Sequence, residues 1–152
     1  MTLTVAEGWK VLGWPEALFG EVWVPHAVLR ELQEGRRQGH DVPDLAKLPW
    51  VVVRDPGAVP PEWLDLDLGS GELAAMALAI EHPGRLLLLD DALARRAAKA
   101  AGLPVSGTLK VLLEAKEAGL TRAVQPVLDR LIQAGLWVSE DLRRDILALA
   151  GE

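Results

Sequence analysis

Asp90 and Asp91 follow directly on four leucines, residues 86–89, and precede a basic, alanine-rich stretch that carries Arg95 and Arg96 and stops at Gly102. Four apolar residues in a row predict a short strand buried on both faces, as in a parallel sheet. The two carboxylates then fall at the carboxyl end of that strand, where open α/β sheets hold their ligands. Paired carboxylates there suit a hard divalent cation such as Mg2+, which takes oxygen ligands. The same residues have a plainer use, since aspartate is a common N-cap and either could cap the helix that follows. Two glutamates occupy comparable positions. Glu31 borders the apolar stripe formed by Val28 and Leu32, and Glu72 opens a helical pattern after Gly69-Ser70-Gly71. A carboxylate in a first helical turn is also favoured by the helix dipole, so Glu72 has a structural reading of its own.

The elements that must position these residues alternate in type. Val22–Val24, residues 50–53 and residues 86–89 read as strands of one mostly parallel sheet. Helical patterns lie between them, after Pro25, over residues 71–81 and over residues 91–101, with a very short strand at Pro104-Val105. The remainder reads as helices, the first capped by Ser106, the next running from about Thr121 to Gln133, and the last capped by Ser139. The fold class is α/β, a mostly parallel sheet flanked by helices, and 152 residues suit a single domain spanning 1–152.

Composition narrows the function. With half its residues apolar and a quarter charged, the chain is globular. It has no cysteine, which removes disulfides and thiolate zinc sites. The histidines at 26, 40 and 82 lack metal-ligand spacing. There is no P-loop and no nucleophile elbow. No signal sequence or membrane-length apolar run is present, so a cytoplasmic protein with no membrane partner is expected. The net charge of −6 argues against a passive nucleic-acid binder but not against a nuclease, whose metal-binding carboxylates add negative charge. Frequent proline, scarce methionine and an excess of arginine over lysine fit a thermophile or a GC-rich genome. Six tryptophans and several leucine-rich helices suggest apolar surface that a homodimer would cover.

The order and spacing of VPHAVLREL (24–32), GSGELAAMALA (69–79), LLLLDDALARRAA (86–98), Gly107-Thr108 and AKEAGL (115–120) resemble the PIN-domain family, in the branch related to VapC-type toxins. The resemblance implies a metal-dependent ribonuclease of the toxin–antitoxin kind. Glu31, Glu72, Asp90 and Asp91 would be its catalytic and metal-binding carboxylates, Mg2+ or Mn2+ its cofactor, and RNA its substrate, with an antitoxin protein as a possible partner. Arg95 or Arg96 would hold a substrate phosphate. One departure matters. The family opens on an apolar strand ending in aspartate, and here no aspartate precedes Asp41. Aligned on residues 18–22, Met1 falls just past that aspartate. The N-terminal strand therefore reads as truncated, through a start codon placed too late or a real loss, unless residues 1–5 replace it. Weak metal binding and little or no RNA cleavage are expected of the chain as it stands. The alternative is a catalytically degenerate PIN-like scaffold that acts as a protein-interaction or antitoxin-binding module.

Overall fold

A computed structural model describes residues 14–40, 42–133 and 135–152. The expectation that residues 1–5 replace a strand lies outside the described residues. Helix α1 (Trp14–Phe19) leads through Gly20, at φ +69°, into strand β1 (Val22–Val24). The chain continues through helix α2 (His26–Arg37), strand β2 (Val51–Val53), helix α3 (Ser70–Glu81), strand β3 (Leu87–Leu88), helix α4 (Ala92–Ala100) and strand β4 (Val105–Ser106). Three helices complete it: α5 (Thr108–Glu117), α6 (Gln125–Gln133) and α7 (Glu140–Ala150). This is the mixed α/β, parallel-stranded architecture expected. No described helix is long and apolar enough to cross a membrane.

The single sheet is corrected. Among the described residues β1 pairs with β2, and β3 pairs with β4, both parallel, as two separate two-stranded sheets. Strand-helix alternation reveals that strands exist, but register and partner are set by contacts far apart in sequence. The two pairs nevertheless share a face. Leu88 of β3 packs on the cluster of Val22 and Val24 of β1, Val28 and Leu32 of α2, Val42, Leu45 and Trp50. On the other face, Ala75, Met76 and Ala79 of α3 meet Leu87, Leu89 and the α4 alanines 94 and 98. A third cluster of Leu112, Val124, Val127, Leu128, Leu131 and Ile146 binds α5, α6 and α7 together.

The four-leucine run is covered on both faces, but unevenly. Leu87 and Leu89 are buried, Leu88 is half-buried, and Leu86 is 44% exposed. Two helix starts also move. Ser106 lies in β4, and α5 begins after Gly107 with no side-chain cap. Helix α6 begins at Gln125, because Glu152 reaches back to accept from the Val124 and Gln125 N–H groups at 2.6 and 3.0 Å. The Lys116 ammonium beside it, and then these backbone contacts, hold the Glu152 pKa down at about 2. By contrast, Ser139 caps α7 as expected, its Oγ accepting from Leu142 N–H at 3.2 Å.

Candidate active site

Glu31 of α2 and Glu72 of α3 meet at the N-terminus of α3, and Asp91, past the end of β3, is near enough for its charge to act on Glu72. Glu31 projects from α2 onto the start of α3. Its Oε1 accepts from the Gly71 N–H at 2.9 Å and from Ser70 Oγ at 3.3 Å. Glu72, in the first turn of α3, bends back so that Oε2 accepts from the Gly69 N–H at 2.8 Å. This is one half of a capping box, since Gly69 has no side chain to return the bond. Asp91 is the N-cap of α4, its Oδ1 accepting from Ala94 N–H at 2.8 Å. The capping reading of Asp91 is therefore correct, and it leaves Oδ2 without a donor among the described residues.

The bare backbone of Gly69 and Gly71 leaves these carboxylates room. A Cβ at position 71 would lie 2.6 Å from Glu31 Oε2, and one at 69 would lie 3.3 Å from Glu31 Oε1 and 3.5 Å from Glu72 Oε2. The Glu31 and Glu72 carboxylates thus converge on one bare stretch of backbone. Their fields overlap with that of Asp91. Burial, and then the negative charges of Asp91 and Glu31, push the Glu72 carboxyl above its ordinary value, against the pull of the Gly69 N–H. Glu31 and Asp91 are exposed and Glu72 is half-buried, so the cluster opens to solvent. Each of the three spends one oxygen on a backbone N–H and keeps one that no described residue donates to. All the donors are hard oxygens, which suits Mg2+ or Mn2+. As the side chains stand, no group of three or more His, Asp or Glu among the described residues forms a ready metal-ligand set.

Asp90 is directed elsewhere. Its Oδ1 accepts from the Thr108 N–H at 2.8 Å and its Oδ2 from Thr108 Oγ1 at 2.6 Å, so both oxygens are occupied at the start of α5. The Arg95 guanidinium lies in the same corner: a Cβ on Gly107 would be 3.1 Å from Arg95 Nη1 and 3.2 Å from Asp90 Oδ1. Arg95 is half-buried, whereas Arg96 is exposed on α4. The adjacent aspartates thus divide their work, Asp91 toward the cluster and Asp90 toward α5. Charge-assisted hydrogen bonds of this kind contribute about 1.5–3 kcal/mol each. In a double-mutant cycle of Asp90→Ala and Thr108→Val, followed by urea unfolding, the expected coupling is about 1–3 kcal/mol. A coupling indistinguishable from zero contradicts this tie.

Thr108, Gly69 and Gly71 were the participants that residue-type reasoning passed over. The Gly-Ser-Gly before Glu72 and the Gly-Thr after β4 were visible in the sequence, but Thr108 and Gly71 meet partners 18 and 40 residues away, and only Gly69 has its partner, Glu72, close by. A second pair sits at the carboxyl ends of β1 and β2. Asp55 Oδ1 accepts from the His26 N–H at 2.9 Å, and Oδ2 meets His26 Nδ1 at 2.7 Å. These contacts, the backbone bond foremost, lower the Asp55 pKa.

A family model described as a PIN domain, DUF3368, matches residues 7–152. No curated protein and no solved structure is matched.

Proposed function

Because this chain belongs to the PIN-domain family, a nuclease-type scaffold, we propose that it is a metal-dependent ribonuclease of the toxin–antitoxin kind, with Glu31, Glu72 and Asp91 at its centre. The observation that carries this reading is the convergence of the Glu31 carboxylate and the half-buried Glu72 carboxylate on the bare backbone of Gly69–Gly71, with Asp91 near enough for its charge to act on Glu72. Three carboxylates gathered this way repel one another unless a cation or a proton intervenes. A bound Mg2+ or Mn2+ would supply an activated water and offset the charge that develops during phosphodiester hydrolysis. The protein's part is positional. The Gly69 and Gly71 N–H groups fix Glu72 and Glu31, and the first turn of α4 fixes Asp91. Arg96, exposed one turn along α4, would meet a substrate phosphate, while Arg95 stays with Asp90. Trp137 and Leu149, 84% and 74% exposed, are apolar side chains that contact with a second copy or an antitoxin would cover.

A second reading, a catalytically degenerate scaffold, is favoured by one observation: no three of these groups stand as a ready ligand set among the described residues. Calorimetric titration with Mn2+ and a cleavage assay on single-stranded RNA, each with and without EDTA, separate the two. The nuclease reading expects weak Mn2+ binding and slow, chelator-sensitive cleavage. It also expects Gly71→Ala to weaken both, because the new methyl displaces the Glu31 carboxylate, the end of a flexible side chain, with little disturbance of the fold. Absence of Mn2+ binding and of cleavage in the unaltered chain selects the scaffold.

A further inference from the structure

Helix α2 carries charge on two of its sides. Glu31 meets the start of α3, while His26, Arg30, Gln33 and Arg36 line a groove of about 250 Å3 closed by residues 43–46. These four fall at i, i+4, i+7 and i+10, hence along one side of the helix and over about 15 Å of its length. All four are exposed. Both ends of the groove are fixed. Asp55 accepts from the His26 N–H at 2.9 Å and holds His26 Nδ1 at 2.7 Å, which leaves Nε2 without a partner among the described residues. Arg36 Nη2 donates to Val42 O at 3.2 Å and ties the end of α2 to the chain entering residues 43–46. Charge around the groove is uneven. Each carboxylate there already has a basic partner: Asp55 has His26, Asp44 has Lys47 at 3.3 Å, and Glu34 has Arg37 at 3.7 Å. Arg30 and Arg36 have no carboxylate within ion-pair distance among the described residues. In a chain of net charge −6, this groove therefore collects unneutralised guanidinium groups.

We propose that this groove holds the phosphate backbone of a single-stranded RNA, with Arg30 and Arg36 as its charged contacts and His26 and Gln33 as hydrogen-bond donors between them. The choice of polyanion rests on the nuclease reading. Three carboxylates repel a phosphodiester, so a strand that approaches them has to be held by positive charge outside the cluster. Arginine suits the task, because its planar fork of donors grips a phosphate with two bonds at once. The spacing suits a strand better than a single ion. Successive donors stand about 4.5–6 Å apart along α2, so one anion reaches a neighbouring pair while a strand passes all four. The groove also lies beside the cluster. Arg30 and Glu31 are consecutive, about 100° apart around α2, so a strand crossing the N-terminal half of the helix passes from one to the other. No Trp or Phe lines the groove, so it grips backbone and leaves the bases unread.

Fluorescence anisotropy of the whole chain with a short labelled oligouridylate tests this, in EDTA so that neither metal nor cleavage contributes. Arg30→Ala and Arg36→Ala are each expected to weaken binding about 5–20-fold. Each is also expected to lower the slope of log affinity against log salt by about 0.7. Arg144→Ala removes the same charge from an exposed position on α7 and is expected to change affinity less than about 2-fold. Should Arg36→Ala fail to fold for want of its bond to Val42, Arg30→Ala and Gln33→Glu carry the test alone, both at exposed positions and both expected to weaken binding. No binding by the unaltered chain overturns the proposal. So does a loss in Arg30→Ala no larger than that in Arg144→Ala. Polyglutamate that competes as strongly as unlabelled RNA overturns it too, and marks an acidic protein segment as the occupant. The two readings fail differently. RNA held through Arg30 and Arg36 by a chain that neither binds Mn2+ nor cleaves supports the groove and removes the nuclease. Chelator-sensitive cleavage that is unchanged in both arginine variants removes the groove and leaves the nuclease.

Discussion

Asp91→Asn is expected to leave the fold intact and to weaken Mn2+ binding by more than the ~10–100-fold that changes outside the ligand shell typically cause. The substitution separates the two duties of this side chain. Asparagine caps a helix about as well as aspartate, so its Oδ1 can still accept from the Ala94 N–H that Asp91 holds at 2.8 Å. Only the charge is removed, and with it the field that Asp91 exerts on Glu72. If Asp91 serves only as a cap, calorimetry gives the same Mn2+ affinity in both proteins. If Asp91 belongs to a metal site, affinity and any chelator-sensitive RNA cleavage fall together while the urea midpoint stays in place. Asp91→Ala is the complementary control. It removes cap and charge together, and should lower stability by about 1 kcal/mol in addition to the loss of metal.

The sequence displayed local features well and distant pairings poorly. Asp91 as an N-cap, Gly102 as the stop of α4 and Ser139 as the cap of α7 are decided within a few residues, and all three stand in the structure. Strand positions were legible for the same reason, as short apolar runs between turn residues. Helix α1 was not, because six residues containing a proline show no helical period. Register escaped notice too, since two strand pairs and one continuous sheet have the same apolar runs. The candidate site combines both cases. Residue type and position singled out Glu31, Glu72 and Asp91, and the order of the segments gave the PIN resemblance. What residue type could not show was that Asp90 turns to Thr108, or that Glu31 rests on the backbone of Gly71. Both depend on packing between helices that are remote in the chain.

Leu89→Ala is expected to destabilise the protein by about 2–5 kcal/mol in urea unfolding, a large share of what a domain of this size has. Leu89 is 1% exposed and packs among Met76, Ala94 and Ala98, so truncation leaves a cavity between α3 and α4. Its backbone N–H also donates to Ser106 O at 2.9 Å, and its chain continues directly into Asp90 and Asp91. Relaxation of the cavity therefore acts on the residues that tie β3 to α5 and cap α4. The same substitution at Leu149, 74% exposed on α7, is expected to fall within about 0.5 kcal/mol of the parent. Chemistry and volume change are identical in the two variants, so the difference isolates burial. Equal costs at the two positions would contradict the packing of α3 and α4 against β3. A large loss at Leu89 accompanied by weaker Mn2+ binding in the fraction still folded would show that the buried strand end holds the carboxylates in place.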